Sequence, residues 1–276
     1  MRTTFQGALV AAFLLAGPLA GPAQAAAIVP GFNSDTLFGN DDYSIGAFEL
    51  GFSINFYGTI HSSVNINNNG NVTFEGWLFD YTPFPLNTVN YTIIAPFFGD
   101  VDTRGEGASI VSWGTGTFGG QQAFGVNWPK VAYFGGDYSK LNDFQLLLVD
   151  RSDIGTGDAD IYFNYGAMQW EAGGASGGSN GLGGSCARAG FGFGTNASYE
   201  LPGSAICGAL IDGGANALST GSNIGEPGRF VFQVRNGTIT NFDVIETVAN
   251  VDVPEPASLA LLGIGLTAIV VARRRR

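Results

Sequence analysis

Histidine and cysteine are nearly absent from this sequence of 276 residues, which has one histidine, His61, and two cysteines. A Ser–His or Cys–His catalytic pair would therefore depend on His61 alone. Because His61 sits beside a turn in the stretch GTIHSS, we expect it to be a solvated loop residue. A zinc site would need more ligands than two cysteines and one distant histidine supply. The sequence therefore gives little support for nucleophilic catalysis or structural zinc.

Basic residues are also scarce. The stretch 26–272 contains seven Lys and Arg residues and all 23 Asp and Glu residues of the chain, which gives a net charge of −16. Nucleic acid and anionic lipid are recognised through basic patches, so neither is an expected partner. Cations or neutral glycans are more natural partners for a body of this charge.

The N-terminus has the features of a secretory signal peptide. Arg2 supplies a positive charge, residues 8–16 are apolar, and Ala23-Gln24-Ala25 fits the small-x-small cleavage pattern. We therefore predict that residues 1–25 direct export and are removed after Ala25.

The C-terminus combines a proline block, Pro254-Glu255-Pro256, with an uncharged run over 257–272 and four arginines over 273–276. As a helix the run would span roughly 24 Å at ~1.5 Å per residue, slightly less than a ~30 Å hydrocarbon core. Snorkelling arginines and local thinning of the bilayer can close that gap. Four consecutive arginines are a poor ending for a buried core helix, so we predict a single transmembrane helix with the arginines in the cytoplasm.

This three-part tail, residues 254–276, resembles the PEP-CTERM sorting signal of Gram-negative bacteria. The resemblance implies recognition by an exosortase, a protease embedded in the inner membrane. It also implies a final place at the cell surface or in the extracellular matrix, often alongside exopolysaccharide. The tail would then be a temporary anchor in the inner membrane, joined to the body by a linker over 247–253.

Export bears on the two cysteines. In an oxidising compartment, Cys186 and Cys207 are expected to form one disulfide that closes a loop of about 20 residues, which stabilises a fold by ~3 kcal/mol in the chain-entropy model. The alternative is a pair of free buried thiols.

The body of the chain, 26–246, has a dominant period of two. In AFELGFSINF (47–56) apolar residues alternate strictly with Glu, Gly, Ser and Asn, and shorter stretches at 123–128, 160–165 and 229–234 repeat the pattern. DFQLLLV (143–149) is more continuously apolar and is predicted to be a central strand. Since no stretch of the body has a capped helical period, we predict an all-β fold, an antiparallel β-sandwich.

The stretch VNINNNGNVTF (64–74) predicts a hairpin whose register depends on the loop. A two-residue loop would place its apolar residues on opposite faces. A three-residue loop, Asn68-Asn69-Gly70, pairs Ile66 with Val72 and places all the apolar residues on one face. We favour the second register, with Gly70 in the left-handed position of a G1 bulge.

Four stretches in order along the body resemble the NIDO domain, the extracellular module of nidogen, tectorin and some mucins. They are INFYGTIHSSVNINNNGNVTF (54–74), IIAPFFGDVDTR (93–104), FQLLLVDR (144–151) and the stretch from IYFNY to CARAGF (161–191). The resemblance covers roughly 45–195. It implies a β-rich extracellular domain associated with cell–matrix adhesion, and it carries over no catalytic residues. Within it Phe98 stands where the family often has tryptophan, and the Gly/Ser loop 172–185 is long.

The best metal candidate lies in DRSDIGTGDADI, where Asp150, Asp153, Asp158 and Asp160 could supply oxygen ligands to Ca²⁺. The spacing is not that of an EF-hand loop. A solvated acidic turn between two strands is the alternative interpretation.

Taken together, these patterns predict an exported, surface-sorted, non-enzymatic protein that acts in cell–matrix adhesion or exopolysaccharide-associated structure. Its expected partners are an exosortase and matrix polysaccharide or other surface proteins. One alternative is a polysaccharide-active enzyme with a carboxylate pair such as Asp100 and Asp102, which requires a cleft between the carboxylates. The other is a glycan-binding module with several exposed aromatics on one face, among them Trp77 or Trp113.

Overall fold

The computed structural model describes residues 27–136, 138–194 and 198–240. These residues form strands and turns with no α-helix, so a helix able to cross a bilayer does not occur among them. The predicted signal peptide, the linker and the C-terminal helix over 257–272 lie outside the described residues.

One sheet has eight strands in the order β1-β7-β8-β9-β10-β13-β14, with β6 paired to β8. Its members are β1 (Asp35–Thr36), β6 (Val101–Asp102), β7 (Ser112–Phe118), β8 (Gln121–Tyr133), β9 (Asn142–Asp150), β10 (Ala159–Tyr165), β13 (Arg229–Arg235) and β14 (Thr238–Thr240).

The second sheet has six strands in the order β12-β11-β5-β4-β3-β2. Its members are β2 (Ser44–Phe56), β3 (Thr59–Asn67), β4 (Asn71–Thr73), β5 (Thr92–Phe98), β11 (Arg188–Phe193) and β12 (Ser198–Glu200). Every pairing between these fourteen strands is antiparallel, which confirms the all-β, antiparallel part of the prediction.

The alternating side chains of the two sheets meet in one hydrophobic core. Aromatic pairs join the sheets: the rings of Phe97 and Phe144 lie 5.4 Å apart, and those of Phe191 and Phe232 lie 5.3 Å apart. Burial of rings of this size is the largest stabilising contribution that such a core provides.

Strand β9 lies in the middle of the eight-stranded sheet, as its continuous apolar run predicts. Leu146 and Leu148 face the main core, whereas Leu147 and Val149 pack on the other face beneath Phe32. The N-terminal segment therefore covers the second face of this strand, which is why the strand is apolar on both faces.

The hairpin between β3 and β4 has the favoured register. Ile66 pairs with Val72 and Asn67 with Asn71, which leaves Asn68-Asn69-Gly70 as a three-residue loop. Gly70 has a φ of +78°, and a Cβ atom at this position would collide with the carbonyl oxygen of Phe97. Glycine is thus required both by the left-handed backbone and by the close approach of β5.

Candidate functional site

The three-residue loop between β3 and β4, Asn68-Asn69-Gly70, holds several other loops together at one end of the molecule. The Asn69 amide nitrogen donates to Asp42 Oδ1 at 2.9 Å and to the backbone oxygen of Asp80 at 3.2 Å. Its side-chain oxygen accepts the backbone N–H of Val101 at 2.9 Å. One buried side chain therefore fixes the segments around residues 42, 80 and 101 beside one another.

Asn68 reinforces the same junction. Its amide nitrogen donates to the backbone oxygens of Val101, at 2.6 Å, and Asp41. Its backbone oxygen accepts a hydrogen bond of 3.0 Å from the indole nitrogen of Trp128, in the other sheet. Buried amides satisfied in this way hold a loop in one conformation, because losing a partner would leave a desolvated polar group.

Three carboxylates converge at this junction. Asp41, Asp42 and Asp100 each place a carboxylate oxygen within 4.8 Å of the others, and Asp100 is only 1% exposed. Burial, together with the charges of Asp41 and Asp42, raises the pKa of Asp100 to about 7. Burial and the neighbouring Asp42 likewise raise the pKa of Asp41 to about 6.

One guanidinium partly compensates this charge. Arg104 Nη2 lies 3.1 Å from Asp41 Oδ2, and Arg104 also donates to both oxygens of Asp102, at 2.9 and 2.7 Å. The other oxygen of Asp41 is buried and has no hydrogen-bond partner among the described residues. Carboxylate and carbonyl oxygens are the ligand type that Ca²⁺ takes in proteins, so Asp41, Asp42 and Asp100 are the described residues best suited to a hard cation.

The glycine-rich loop 172–185 closes over Asp100. Ser176 Oγ lies 3.5 Å from Asp100 Oδ2, 3.2 Å from the backbone oxygen of Tyr81 and 3.4 Å from Thr82 Oγ1. A cavity of about 320 Å³ is lined by residues 79–82, two of which Ser176 contacts. Asp100 is therefore enclosed by the loop, and the cavity is bordered by aromatic and polar side chains.

The four aspartates predicted as a Ca²⁺ site are not brought together as a ligand set. Each carboxylate has its own donors in and around the turn between β9 and β10. Asp150 accepts from Ser152, Asp153 from Arg151, Asp158 from the backbone N–H of Asn236, and Asp160 from Arg151 and Arg235 at 2.8 and 2.6 Å. The guanidinium groups already supply the positive charge that a cation would bring.

His61 is buried, which corrects the expectation of a solvated loop residue. It lies on β3 and packs against the rings of Phe56 and Phe74, with centroid separations of 5.8 and 4.8 Å. Burial lowers its pKa, although Glu75, 3.8 Å away, acts in the opposite direction. The strand begins at Thr59, earlier than the turn-like stretch GTIHSS indicated.

The two cysteines form a disulfide with a Cα–Cα distance of 5.4 Å. This bond ties the end of the loop 172–185 to the long irregular segment 201–228. The carboxylate of Glu171 lies within 4.8 Å of both sulfurs, is fully buried and accepts a hydrogen bond from the Gly208 N–H. Burial raises the pKa of Glu171, while the bond from Gly208 acts in the opposite direction.

The tryptophans differ sharply in exposure. Trp113, Trp128 and Trp170 are buried in the core, whereas Trp77 is 61% exposed. Of the two tryptophans predicted to be available for stacking, only Trp77 is therefore accessible.

The sorting residues Pro254, Glu255 and Pro256 lie outside the described residues.

The sequence analysis did not identify Asp41, Asp42, Glu171 or the side-chain roles of the turn asparagines. Asp41 and Asp42 are separated from Asp100 by more than 55 positions. A pair of adjacent aspartates before a strand is common in surface loops, so no local pattern distinguishes them. The strongest available signal was the run of three asparagines, which exceeds what a hairpin loop requires.

Comparisons with known proteins agree with these observations. A family model for the nidogen-like domain matches residues 62–236, and one for the PEP-CTERM protein-sorting motif matches residues 252–276. The domain match therefore starts later than the resemblance over 45–195 and extends beyond it, to residue 236. No solved structure gave a significant match.

Two curated relatives are large animal proteins. Alpha-tectorin of Homo sapiens is 34% identical over 219 residues, which cover 70% of this chain and 10% of tectorin. Nidogen of Drosophila melanogaster is 29% identical over 272 residues, which cover 84% of this chain and 19% of nidogen. The chain thus spans a tenth to a fifth of the length of these relatives. With the matched domain, the two packed antiparallel sheets and the sorting tail, the chain belongs to the nidogen-like (NIDO) domain family and carries a PEP-CTERM sorting motif.

Proposed function

We propose that this protein is exported, sorted to the cell surface or extracellular matrix, and acts there as a non-enzymatic module of adhesion or matrix structure. The observation that carries the proposal is the presence of both a nidogen-like domain and a PEP-CTERM motif in one chain. The domain is shared with nidogen and alpha-tectorin, and the motif implies processing by an exosortase. The disulfide fits an oxidising compartment.

In this proposal the signal peptide starts export, and the apolar tail holds the body on the outer side of the inner membrane. The arginines at 273–276 remain in the cytoplasm. Exosortase then recognises Pro254-Glu255-Pro256 and releases or transfers the body. The anchor is thus a temporary stage rather than the final location.

Burial argues against the enzyme alternative. A catalytic carboxyl must contact the bond it acts on, and Asp100 and Asp102 are 1% and 2% exposed. Asp102 is also bound by two donors of Arg104. A carboxylate pair that no substrate can reach supports a structural role for these residues.

The first test is the intact mass of the protein recovered from the envelope and the medium of its native host. We expect a mature N-terminus at Ala26 and loss of the residues after about Pro256. A variant with Pro254, Glu255 and Pro256 changed to alanine should keep its tail and remain in the inner membrane. Recovery of wild-type protein that ends at Arg276 would contradict the sorting proposal.

The adhesive role needs a separate test. A strain lacking the gene should attach less to its own matrix, and wild-type protein should restore attachment. The alanine variant of the motif should not restore it, although it folds and is exported. Equal attachment by all three strains would contradict the adhesive role while leaving the sorting proposal intact.

A further inference from the structure

Large aromatic side chains are exposed on two loops at one end of the molecule. This end also carries the loop Asn68-Asn69-Gly70, which we call the asparagine turn. One loop carries Phe38 and Tyr43, with rings 5.0 Å apart, and the other carries Trp77, Phe79 and Tyr81. We call these five residues the aromatic surface. Each is at least 38% exposed, so each ring has a face or edge available to a partner.

The two loops are held close together by the buried turn. Asn69 donates both to the side chain of Asp42, which precedes Tyr43, and to the backbone of Asp80, which lies between Phe79 and Tyr81. Ser176 also fixes the second loop, because its hydroxyl donates to the backbone oxygen of Tyr81. The aromatic surface is therefore supported by a rigid base, which lowers the entropy lost when a ligand binds.

Trp77, Phe79 and Tyr81 are exposed along one loop. They occupy every second position, and the intervening Leu78 is buried in a small cluster with Leu86 and other apolar residues. In an extended chain, alternate side chains point to the same side, so burial of Leu78 turns its neighbours outward. The rings of Trp77 and Phe79 are 6.1 Å apart and nearly perpendicular. These two rings form an open pair on the surface.

Hydrogen-bonding groups accompany the rings. The cavity of about 320 Å³ is lined by Asp80 and Thr82 together with Phe79 and Tyr81. Arg104, a basic side chain at the same junction, forms ion pairs with Asp41 and Asp102. The surface therefore offers apolar faces and hydrogen-bond acceptors in a negatively charged setting, which disfavours anionic ligands.

We propose that the aromatic surface binds a neutral polysaccharide chain. Sugar rings present apolar C–H faces that pack on aromatic rings, and hydroxyl groups that donate to acceptors such as Asp80. Exposed aromatic side chains spaced along one loop suit a polymer whose rings repeat along its length, whereas a single ammonium group is held best inside an aromatic cage. The inference rests on the proposed function, since it names the matrix partner of the surface-sorted protein.

The test uses the full chain purified in a detergent without a sugar headgroup. The probes are cellohexaose, laminarihexaose and mannohexaose, with hexalysine as a cationic probe. Trp77 is the one exposed tryptophan of the four, so fluorescence quenching by acrylamide reports on this surface directly. We expect at least one neutral hexasaccharide to bind saturably, to protect Trp77 from quenching, and to bind equally well in low and high salt.

Two variants localise the binding. Affinity is measured by titration calorimetry here, because Trp77→Ala removes the fluorescent reporter. Trp77→Ala and Phe79→Ala should each raise the dissociation constant about tenfold, because each removes one stacking surface. Ile154→Ala is the matched control, since Ile154 is 54% exposed on the distant turn between β9 and β10. The control should bind like wild type, and unchanged thermal unfolding of all three variants would show that they are folded.

Three outcomes would overturn the assignment. They are absence of binding to all three hexasaccharides, binding that Trp77→Ala and Phe79→Ala do not weaken, and salt-sensitive binding of hexalysine alone, which would indicate a cationic partner instead. None of these affects the mass of the mature chain or the attachment of the deletion strain. Failure here is therefore distinguishable from failure of the proposed function.

Discussion

Asp100 is the residue whose environment departs furthest from what its neighbours in the sequence suggest. It follows a buried strand, is covered by the glycine-rich loop, and faces two other carboxylates. Its neutral form is therefore favoured in the folded protein, with a pKa of about 7.

The raised pKa of Asp100 should make the stability of the protein depend on pH. Folded Asp100 binds its proton more tightly than unfolded Asp100, so its contribution to stability is complete below about pH 4 and is lost as the pH rises through about 7. Asp100→Asn should remove that loss. Urea unfolding should show little difference from wild type at pH 4 and a more stable variant at pH 8.

Asp102→Asn provides the contrast, since it should destabilise the protein at pH 8. This substitution removes an acceptor of the two Arg104 bonds and leaves a guanidinium without its main partner. We expect a loss of about 1–3 kcal/mol. A destabilised Asp100→Asn variant at pH 8 would contradict the assignment of an uncompensated buried acid.

At the scale of elements, the hairpin of β3 and β4 depends on Gly70. Gly70→Ala should cost about 3 kcal/mol or more, because the added methyl group meets the backbone of Phe97 in addition to the left-handed φ. Gly58→Ala is the control. Gly58 has a φ of +91° but open space around its Cβ position. Its cost should be about 1 kcal/mol.

Chemical unfolding of both variants checks the prediction. The asparagine turn holds together the loops that bear the aromatic surface. Gly70→Ala should therefore also weaken hexasaccharide binding, whereas Gly58→Ala should not. Equal unfolding free energies of the two variants would mean that the close approach of Phe97 is relieved at little cost.

The disulfide is the other element whose contribution can be measured. Replacing Cys186 and Cys207 by serine should lower the free energy of unfolding by about 3 kcal/mol, the value for a closed loop of this length. It should also expose the segment 201–228 to proteolysis. The wild-type protein should become equally unstable in reductant, and the serine variant should not respond to reductant. A wild-type protein insensitive to reductant would contradict the prediction.

For the whole molecule, the net charge of −16 over residues 26–272 is the dominant electrostatic property. Like charges repel in the compact state, and salt screens this repulsion. The midpoint of thermal unfolding should therefore rise between 10 mM and 500 mM NaCl. Sucrose at matched osmolality controls for effects other than screening. A midpoint that falls in salt would show that the surface ion pairs outweigh the repulsion.

The local patterns in the sequence were sufficient to predict the strands and the register of the hairpin. Strict alternation over 47–56 matches β2, and the need to bury all apolar residues on one face was enough to choose the three-residue loop. The tail was recognisable because its three parts are contiguous. Each of these features depends on neighbouring residues, so periodicity and turn chemistry contain the information.

The candidate site depends on the tertiary structure. The segments that meet at Asn69 come from positions near 42, 80 and 101, and no local period relates them. Burial of His61 and the pairing of Asp160 with Arg151 and Arg235 likewise follow from the packing of distant strands. By itself the sequence determined the β fold, the sorting motif and the acidic character of the chain. Only the tertiary structure decided which acids lack a counter-charge and which aromatics face solvent, because long-range packing determines both burial and electrostatic neighbours.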